Sequence, residues 1–428
     1  MSRPPHTASP HDVLEFFAGA GMARIGLGPA WRTVFVNEWD PKKASAYAAF
    51  HGDDPPVLVE DVGGLTPDRI PQRPTLAWAS FPCQDLSVAG DRAGLDGERS
   101  GTFRPFWDLM TALRKRGDAP PFIVLENVPG AVTSAGGRDF AELAATLVLG
   151  GYRVAPLIVD AVRFLPQSRP RLFLVAADLS YAPPEDLADI EPSDVWHPKP
   201  LRKAVDELPF DVRRRMVWLH PAAPPRRTVT LESIVEETPT GTAWHTEAET
   251  ARLISLMEPV HLEKLAQAKR LGTRIVGTIY KRTRLRDDGV KGQTAEVRFD
   301  GVAGCLRTPS GGSSRQTIMV VEGERVRSRL LSPREAARLM GMPDDYPLPA
   351  SYNEAYHLAG DGVAVPVVAW LARTILEPWL AASGQVGGEV GGADVGKTDG
   401  AAVGGTSGSS AAAGGTAGDG RGAANTKR

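Results

Sequence analysis

A cysteine, Cys83, follows an apolar run that has the composition of a buried β-strand. The run, residues 75–80, breaks into Phe81-Pro82-Cys83-Gln84 and then into a loop that contains Gly and Ser. In α/β enzymes ligands bind at the carboxyl ends of strands, and a thiolate there is a strong nucleophile. A lone cysteine is more often a small buried hydrophobe. The flanking Pro and Gln and the loop position favour a reactive thiol at Cys83.

A carboxyl group, Glu126, comes directly after the apolar run 122–125. Apolar neighbours predict partial desolvation, which raises the pKa of a carboxylic acid. With a raised pKa, Glu126 would be able to donate a proton near neutral pH. The alternative, an ordinary carboxylate that caps a helix, remains open from this motif alone.

Two arginines, Arg169 and Arg171, stand at alternate positions just before another apolar run, residues 172–176. Alternate side chains of an extended segment point the same way. The two guanidinium groups would therefore be able to clamp a carboxylate or a phosphate. The alternative is a solvated strand edge.

Glycines and acids follow the earlier strand-like runs. Gly19 and Gly21 follow the run 13–17, where they let the backbone turn sharply beside a ligand. Glu38 comes about twenty residues later, where an acid commonly binds a nucleotide ribose. Trp39 is suited to cover an adenine face, or it is a partly exposed core residue, and Asp61 follows the third run. This set predicts an adenosyl-type cofactor but does not separate a dinucleotide from S-adenosylmethionine.

Strands and helices that alternate along the chain must position these residues. The strand-like runs are residues 13–17, 33–36, 57–59, 75–79, 122–125, 157–159 and 172–176, and helical patterns between them include 106–116 and 140–149. The alternation predicts an α/β protein with a parallel, doubly wound, Rossmann-like sheet. Further helices are expected at 333–340, where Ser332 and Glu335 form a capping box, and at 365–376.

The regular alternation of strand and helix patterns ends at residue 179. Residues 179–327 are rich in Arg, Pro, Thr and Gly, and this composition predicts a second, loop-rich domain. Residues 328–382 return to the first domain, which begins with residues 1–178. Residues 383–428 are mostly Gly, Ala, Ser and Thr. Such a composition buries too little apolar surface to offset its ordering entropy, so this tail is expected to be disordered.

Composition narrows the class of protein. Of 428 residues 42% are apolar, which allows a sizeable core, and no apolar run approaches the length of a membrane span. The chain has only two cysteines, which argues against a disulfide framework and favours a reducing cytosol. Cys305, the second, looks structural or incidental. The net charge of -2 means that any DNA contact must come from a local basic surface. We expect neither a metal nor a membrane partner.

Taken together, these residues resemble the DNA (cytosine-5) methyltransferase family over about residues 12–175 and 328–376. The resemblance rests on five motifs in the family's usual order. They are Phe17-Ala-Gly-Ala-Gly21, Pro82-Cys83-Gln84, Glu126-Asn127-Val128, Gln167-Ser-Arg169-Pro-Arg171, and the pair Arg329-Leu-Leu-Ser-Pro-Arg-Glu-Ala-Ala-Arg338 with Gly341-Met-Pro-Asp344. Chance assembly of this set is much less plausible than kinship.

The resemblance implies a role for each site residue. Cys83 would add to carbon 6 of cytosine, Glu126 would donate to N3, and Arg169, supported by Arg171, would polarise O2 of a base swung out of the duplex. The residues implied to bind S-adenosylmethionine are Phe17, Gly19, Gly21, Glu38, Trp39, Asp61, Pro82, Asp361 and Val363. Those implied to contact duplex DNA are Gln84, Ser87, Gln167, Arg307, Thr308, Gly311, Gly312 and Arg315.

Residues 179–327 resemble the family's target-recognition region in position. Their basic clusters, such as residues 281–284, are suited to phosphate contacts. A cytoplasmic, monomeric, bacterial or phage enzyme is expected. It would be either part of a restriction-modification system, with a cognate restriction endonuclease as a functional partner, or a solitary methylase.

One motif departs from the family's pattern: Asp361 stands where the family normally has Asn, which puts the cofactor-side contact in doubt. Rival interpretations are a transfer RNA cytosine methyltransferase, a nicotinamide oxidoreductase and a non-catalytic DNA-binding relative. The long recognition region argues against the first. The Pro-Cys-Gln and Glu-Asn-Val motifs argue against the second, and the retained catalytic residues argue against the third.

Overall fold

All seven predicted strand-like runs form strands of a single sheet in a computed structural model, which describes residues 11–82, 102–285, 291–307 and 315–386. The strands are β1 (His11–Phe16), β2 (Trp31–Asn37), β3 (Val57–Leu58), β4 (Leu76–Ala79), β5 (Phe122–Asn127), β6 (Tyr152–Asp160) and β7 (Pro170–Asp178). Their order across the sheet is β3-β2-β1-β4-β5-β7-β6.

The sheet is mixed rather than wholly parallel, which corrects the sequence-based expectation. Strands β1 to β5 pair in parallel, whereas β7 runs antiparallel to both β5 and β6. The chain order reverses between β1 and β4, and in such sheets the crevice at the reversal point binds ligands. Because β7 runs the other way, its first residues lie at the edge where β5 ends.

Helices cover both faces of the sheet. They are α1 (Met22–Leu27), α2 (Pro41–His51), α3 (Phe103–Arg116) and α4 (Arg138–Leu149). Every side chain of β5 is buried, and its apolar residues alternate between the two layers. Phe122 and Val124 join the layer that contains α1 and α2, whereas Ile123 and Leu125 join the layer of α3 and α4. Burial on both faces explains why this strand is a continuous apolar run.

The region expected to be loop-rich contains more regular structure than its sequence suggests. Its helices are α5 (Lys199–Asp206), α6 (Phe210–Arg213), α7 (Leu231–Ile234), α8 (Glu247–Ser255) and α9 (Pro259–Arg270). Its strands are β8 (Ala188–Asp189), β9 (Trp218–Leu219), β10 (Arg274–Leu285), β11 (Lys291–Arg298), β12 (Thr317–Glu322) and β13 (Arg325–Leu330).

The last four strands form an antiparallel sheet in the order β11-β10-β12-β13. One face of this sheet packs on α8 and α9, and the other joins the core of the main sheet through residues such as Val276 and Ile318. The expected boundary at 327/328 falls inside β13.

The C-terminal helices return to the main sheet. They are α10 (Pro333–Leu339), α11 (Tyr352–Asp361), α12 (Val365–Leu371) and α13 (Glu377–Val386). Helix α10 begins with the predicted capping box, in which Ser332 accepts a hydrogen bond from the Glu335 backbone N–H. A π-helical turn, Ala372–Leu376, follows α12. Residues 383–386, expected to belong to a disordered tail, lie in α13, and the rest of that tail lies outside the described residues.

One helical region, Tyr352–Ala382, is long and apolar enough to match a membrane span by composition, with a mean hydropathy of 1.4 over 18 residues. However, 56% of the window is buried inside the protein, and residues such as Trp370 and Trp379 belong to the core. The region therefore has the character of a core helix bundle.

Candidate active site

A cavity of about 640 Å³ opens at the carboxyl edge of the main sheet, where the strand order reverses. Its walls come from the segments that follow β1, β2, β3, β4 and β5, from the start of β7 and from the end of α11. The sequence-predicted residues that line it are Phe17, Gly19, Glu38, Trp39, Asp61, Pro82, Glu126, Arg169, Arg171, Asp361 and Val363. The fold thus brings the predicted catalytic and cofactor residues of the described chain, except Gly21, to one place.

The turn after β1 has the sharp backbone expected of its glycines. Phe17 and Gly19 adopt positive φ values of 54° and 55°, and the Gly19 backbone N–H donates to Glu38 Oε2 at 2.8 Å. Gly21 also has a positive φ, of 70°, but it does not line the cavity. A Cβ atom there would lie 2.3 Å from Nε2 of His51. Gly21 is thus needed for the close packing of α1 on α2.

The residues after β2 and β3 provide an acidic and aromatic wall. Glu38 is 5% exposed, and its other oxygen, Oε1, accepts from the Asp40 backbone N–H at 2.9 Å. These bonds hold its carboxylate at the cavity. Trp39 is 71% exposed, which leaves its ring open to a flat ligand. Asp61 accepts from the Gly63 backbone N–H at 2.8 Å.

Two further cavity residues were not predicted from the sequence. Glu15, an acid of β1, is 1% exposed and accepts a hydrogen bond from Tyr47 Oη at 2.9 Å. Burial raises its pKa from 4.5 to about 7, although Tyr47 and Arg24 partly oppose the change. An acid flanked on both sides by apolar residues, in the run 13–17, was the available signal. Lys43, on α2, also lines the cavity, and its position in the sequence carried no comparable signal.

Lys43 pairs with Asp361, the residue that departs from the family's pattern. Their Nζ and Oδ2 atoms lie 2.7 Å apart, and His357 Nε2 lies 3.6 Å from the same oxygen. Burial opposes the charge on Lys43, but the Asp361 carboxylate outweighs it and raises the pKa of Lys43. The extra negative charge of Asp361 is thus balanced by a lysine from a distant part of the chain.

Glu126 and Arg171 form an ion pair at the same edge. Arg171 Nε lies 3.1 Å from Glu126 Oε1, and the side chains are 14% and 8% exposed. The neighbouring Asn127 donates from Nδ2 to the Phe81 carbonyl oxygen at 3.4 Å, which ties the end of β5 to the end of β4. Cys83 itself lies outside the described residues.

Arg169 is held differently from Arg171. It is 1% exposed and donates to the carbonyl oxygens of Leu306, Gly360 and Gly362 at 3.0, 2.7 and 2.7 Å. Burial and repulsion from Arg171 lower its pKa to about 10. Arg171 therefore contacts Glu126, whereas Arg169 ties the cavity wall together.

The residues expected to contact DNA fall into three groups. Gln84, Ser87, Thr308, Gly311 and Gly312 lie outside the described residues. Gln167 is fully buried, and its amide bonds to the Leu339 carbonyl oxygen at 2.6 Å and the Leu306 N–H at 3.1 Å, which leaves no side-chain surface for DNA. Arg307 is exposed.

Arg315, the last of these residues, is half-buried. It donates to Asn353 Oδ1 at 2.6 Å and lies over the Tyr352 ring. Its guanidinium group is therefore tied to the start of α11.

Comparison with known proteins agrees with these observations. The family model described as C-5 cytosine-specific DNA methylase matches residues 11–377. The chain is 28% identical to the type II methyltransferase M.BsuFI of Bacillus subtilis, with 87% of this chain and 74% of that protein covered. It is 27% identical to M.HpaII of Haemophilus parainfluenzae, with 87% and 91% covered.

Solved structures share the fold at low sequence identity. The S. pombe Dnmt2 methyltransferase matches with a TM-score of 0.53 and 17% identity, over 86% of this chain and 99% of that one. The Entamoeba histolytica methyltransferase EhMeth matches with a TM-score of 0.54 and 13% identity, over 88% and 99%. Because the family model covers most of the chain, this protein belongs to the C-5 cytosine-specific DNA methylase family.

Proposed function

We propose that this enzyme transfers a methyl group from S-adenosylmethionine to carbon 5 of a cytosine swung out of duplex DNA, through a covalent adduct with Cys83. The observation that carries the proposal is the buried Glu126–Arg171 pair, which opens into the same cavity as Glu38 and Trp39. A proton donor and an adenosyl-binding wall in one cavity are what methyl transfer to a base requires.

The cavity residues fit the donor chemically. The Trp39 ring is suited to stack on adenine, and the Glu38 and Asp61 carboxylates are suited to accept from ribose hydroxyls. Glu15 and Asp361 also line the cavity. Glu15 would favour a cation in its ionised form, whereas the charge of Asp361 is shared with Lys43. When bound, S-adenosylmethionine supplies an electrophilic methyl group on a positively charged sulfur.

The protein residues would make carbon 5 reactive. The Cys83 thiolate adds to carbon 6, the pair of the 5,6 double bond forms a 4,5 double bond, and the pair of the carbon 4–N3 double bond moves to N3. There Glu126, after it has taken up a proton, donates that proton. Carbon 5 then has enamine character and forms the new bond to the methyl group as the bond between methyl and sulfur breaks. A base removes the carbon 5 proton, the 5,6 double bond re-forms as the Cys83 thiolate leaves, and the N3 proton returns to Glu126.

The two arginines would have different roles, one in binding the base and one in holding the cavity walls. Arg171, in contact with Glu126, is the better candidate to donate to O2 of the cytosine. Arg169, bonded to three carbonyl oxygens, would keep the walls from β7, from residue 306 and from α11 in register. This exchanges the roles that the family resemblance suggested.

The antiparallel sheet β10–β13 and its helices would recognise the target sequence. Exposed cations such as Arg282 and Arg307 are suited to phosphate contacts beside the cavity. The relatives named above are type II methyltransferases of bacteria, which supports a bacterial or phage origin, action in the cytoplasm and a cognate restriction endonuclease as a functional partner.

The test is transfer of a tritiated methyl group from S-adenosylmethionine to duplex DNA and, separately, to total transfer RNA. We expect labelling of DNA alone, and bisulfite sequencing should then map the methylated cytosines to one short sequence. Labelling of transfer RNA without DNA would contradict the proposal.

A further inference from the structure

Cys305 lies against both arginines of the site. Its sulfur is 3.5 Å from Nη1 of Arg169 and 3.9 Å from Nη1 and Nη2 of Arg171. The sequence suggested a structural or incidental thiol. Its contacts instead connect it to the Arg171–Glu126 pair, through which any effect on the reaction would pass.

The charge of Arg169 has no carboxylate partner among the described residues. Arg169 and Arg171 supply two cations, and Glu126 pairs with Arg171. Arg169 bonds to carbonyl oxygens and to the Cys305 sulfur rather than to a carboxylate. A buried charge without a counter-ion is costly, so a second anion would stabilise the cluster.

We propose that Cys305 is a positioning residue for the reaction: its sulfur acts as the second anion of the cluster and holds Arg171 against Glu126. This inference rests on the proposed function, because it assigns Cys305 a part in orienting the proton donor. The Cys305 side chain touches neither the base nor the donor in this account and acts through Arg171.

The two arginines favour the ionised thiol, whereas the Leu306 carbonyl oxygen, 3.5 Å from the sulfur, is a contact of the neutral thiol. Burial by itself raises the pKa of the Cys305 thiol, but the charges of Arg169 and Arg171 outweigh it and hold that pKa below its ordinary value. Arg307, in the same segment, acts in the same direction. Among the described residues, the other titratable groups that face the sulfur are Tyr280 of β10 and Tyr356 of α11, and burial raises the pKa of both phenols. Both tyrosines therefore stay neutral while the thiol ionises.

Ionisation can be measured without enzymatic activity. The chain has two cysteines, so Cys83→Ser leaves Cys305 as the sole thiol, and the ultraviolet absorbance of the thiolate reports its titration. We expect a midpoint clearly below the ordinary thiol value of about 8.5. A midpoint at or above that value would overturn the proposal, whether or not the enzyme methylates DNA.

Activity measurements on Cys305 variants then distinguish a positioning role from a role in packing. Cys305→Ser keeps the shape but loses the anion, and we expect kcat to fall about tenfold, the scale of one hydrogen bond to a charged group. KM for DNA and donor should change little. Cys305→Asp restores an anion and should be more active than Cys305→Ser.

A purely structural cysteine would give the opposite order, because serine fits its space better than aspartate, and that order would refute the positioning role. Thr278→Ser serves as the control for general loosening, since Thr278 is buried in β10 and bonds to the Val302 carbonyl oxygen in the same segment as Cys305. It should leave kcat near the wild-type value. If the wild type does not methylate DNA, the proposed function is wrong, but the result of the thiol titration still stands.

Discussion

Replacing Glu15 by Gln should change how the stability of the protein depends on pH. Glu15 is buried in β1, with Tyr47 Oη as the donor to one carboxylate oxygen. In the described chain its other oxygen has no hydrogen-bond partner. Burial raises its pKa from 4.5 to about 7. Between these two pH values the folded chain binds a proton that the unfolded chain has released.

The sign and size of the effect follow from proton linkage. Because the folded-state pKa is the higher one, protonated Glu15 contributes stability that is fully present below pH 4.5 and is lost as pH rises through about 7. At about 1.4 kcal/mol per pKa unit, the loss amounts to about 3 kcal/mol. The neutral amide of Glu15→Gln does not titrate, so the variant avoids this loss.

The assay is denaturant unfolding of wild type and Glu15→Gln at a series of pH values from 4.5 to 8. We expect the free energy of unfolding of the variant, relative to wild type, to rise by about 3 kcal/mol over this range. Changes in packing or in the Tyr47 hydrogen bond add a constant and do not affect the slope. A difference that stays constant with pH would refute the argument that Glu15 is a desolvated acid in the folded state.

Three other changes test the rest of the site. Glu126→Gln should slow single-turnover methyl transfer about 10²–10⁴-fold with a smaller effect on DNA affinity, because an amide cannot deliver the proton; a near-normal rate would remove Glu126 from the mechanism. In the wild type the Lys43 ammonium lies 2.7 Å from the Asp361 carboxylate. Asp361→Asn should remove this negative charge and leave the positive charge of Lys43 beside the donor site. We expect binding of S-adenosylmethionine to weaken relative to S-adenosylhomocysteine by about 1 kcal/mol, a modest value for a partly exposed pair; an unchanged ratio of the two affinities would exclude a charge effect on the donor. Deleting residues 387–428 should leave activity and Tm nearly unchanged, since their composition predicts no packed core; a marked drop in Tm would show that they pack.

Much of the site could be predicted because the chemistry lies at strand ends. Apolar runs such as 122–125 mark buried strands, and the carboxyl ends of parallel strands meet at one edge. Glu38, Asp61 and Glu126 were therefore expected to converge, and the structure brings them to one cavity.

What could not be predicted depends on contacts between distant parts of the chain. An apolar run has no direction, so the reversal of β7 was invisible, and with it the reason why Arg171 meets Glu126. The carbonyl partners of Arg169 come from residues 306, 360 and 362. The Lys43 partner of Asp361 lies 318 residues away. No local pattern reports such pairings.

The central claim, a covalent Cys83 adduct, is tested most directly with duplex DNA that carries 5-fluorocytosine at the target position. Fluorine at carbon 5 cannot leave as a proton does, so elimination of the thiolate is blocked after methyl transfer. In the presence of S-adenosylmethionine we predict a denaturation-resistant protein–DNA complex for wild type, with the mass of the methylated adduct on the peptide that contains Cys83, and none for Cys83→Ser. Absence of that complex from active wild-type enzyme, or its formation by Cys83→Ser, would contradict the covalent mechanism.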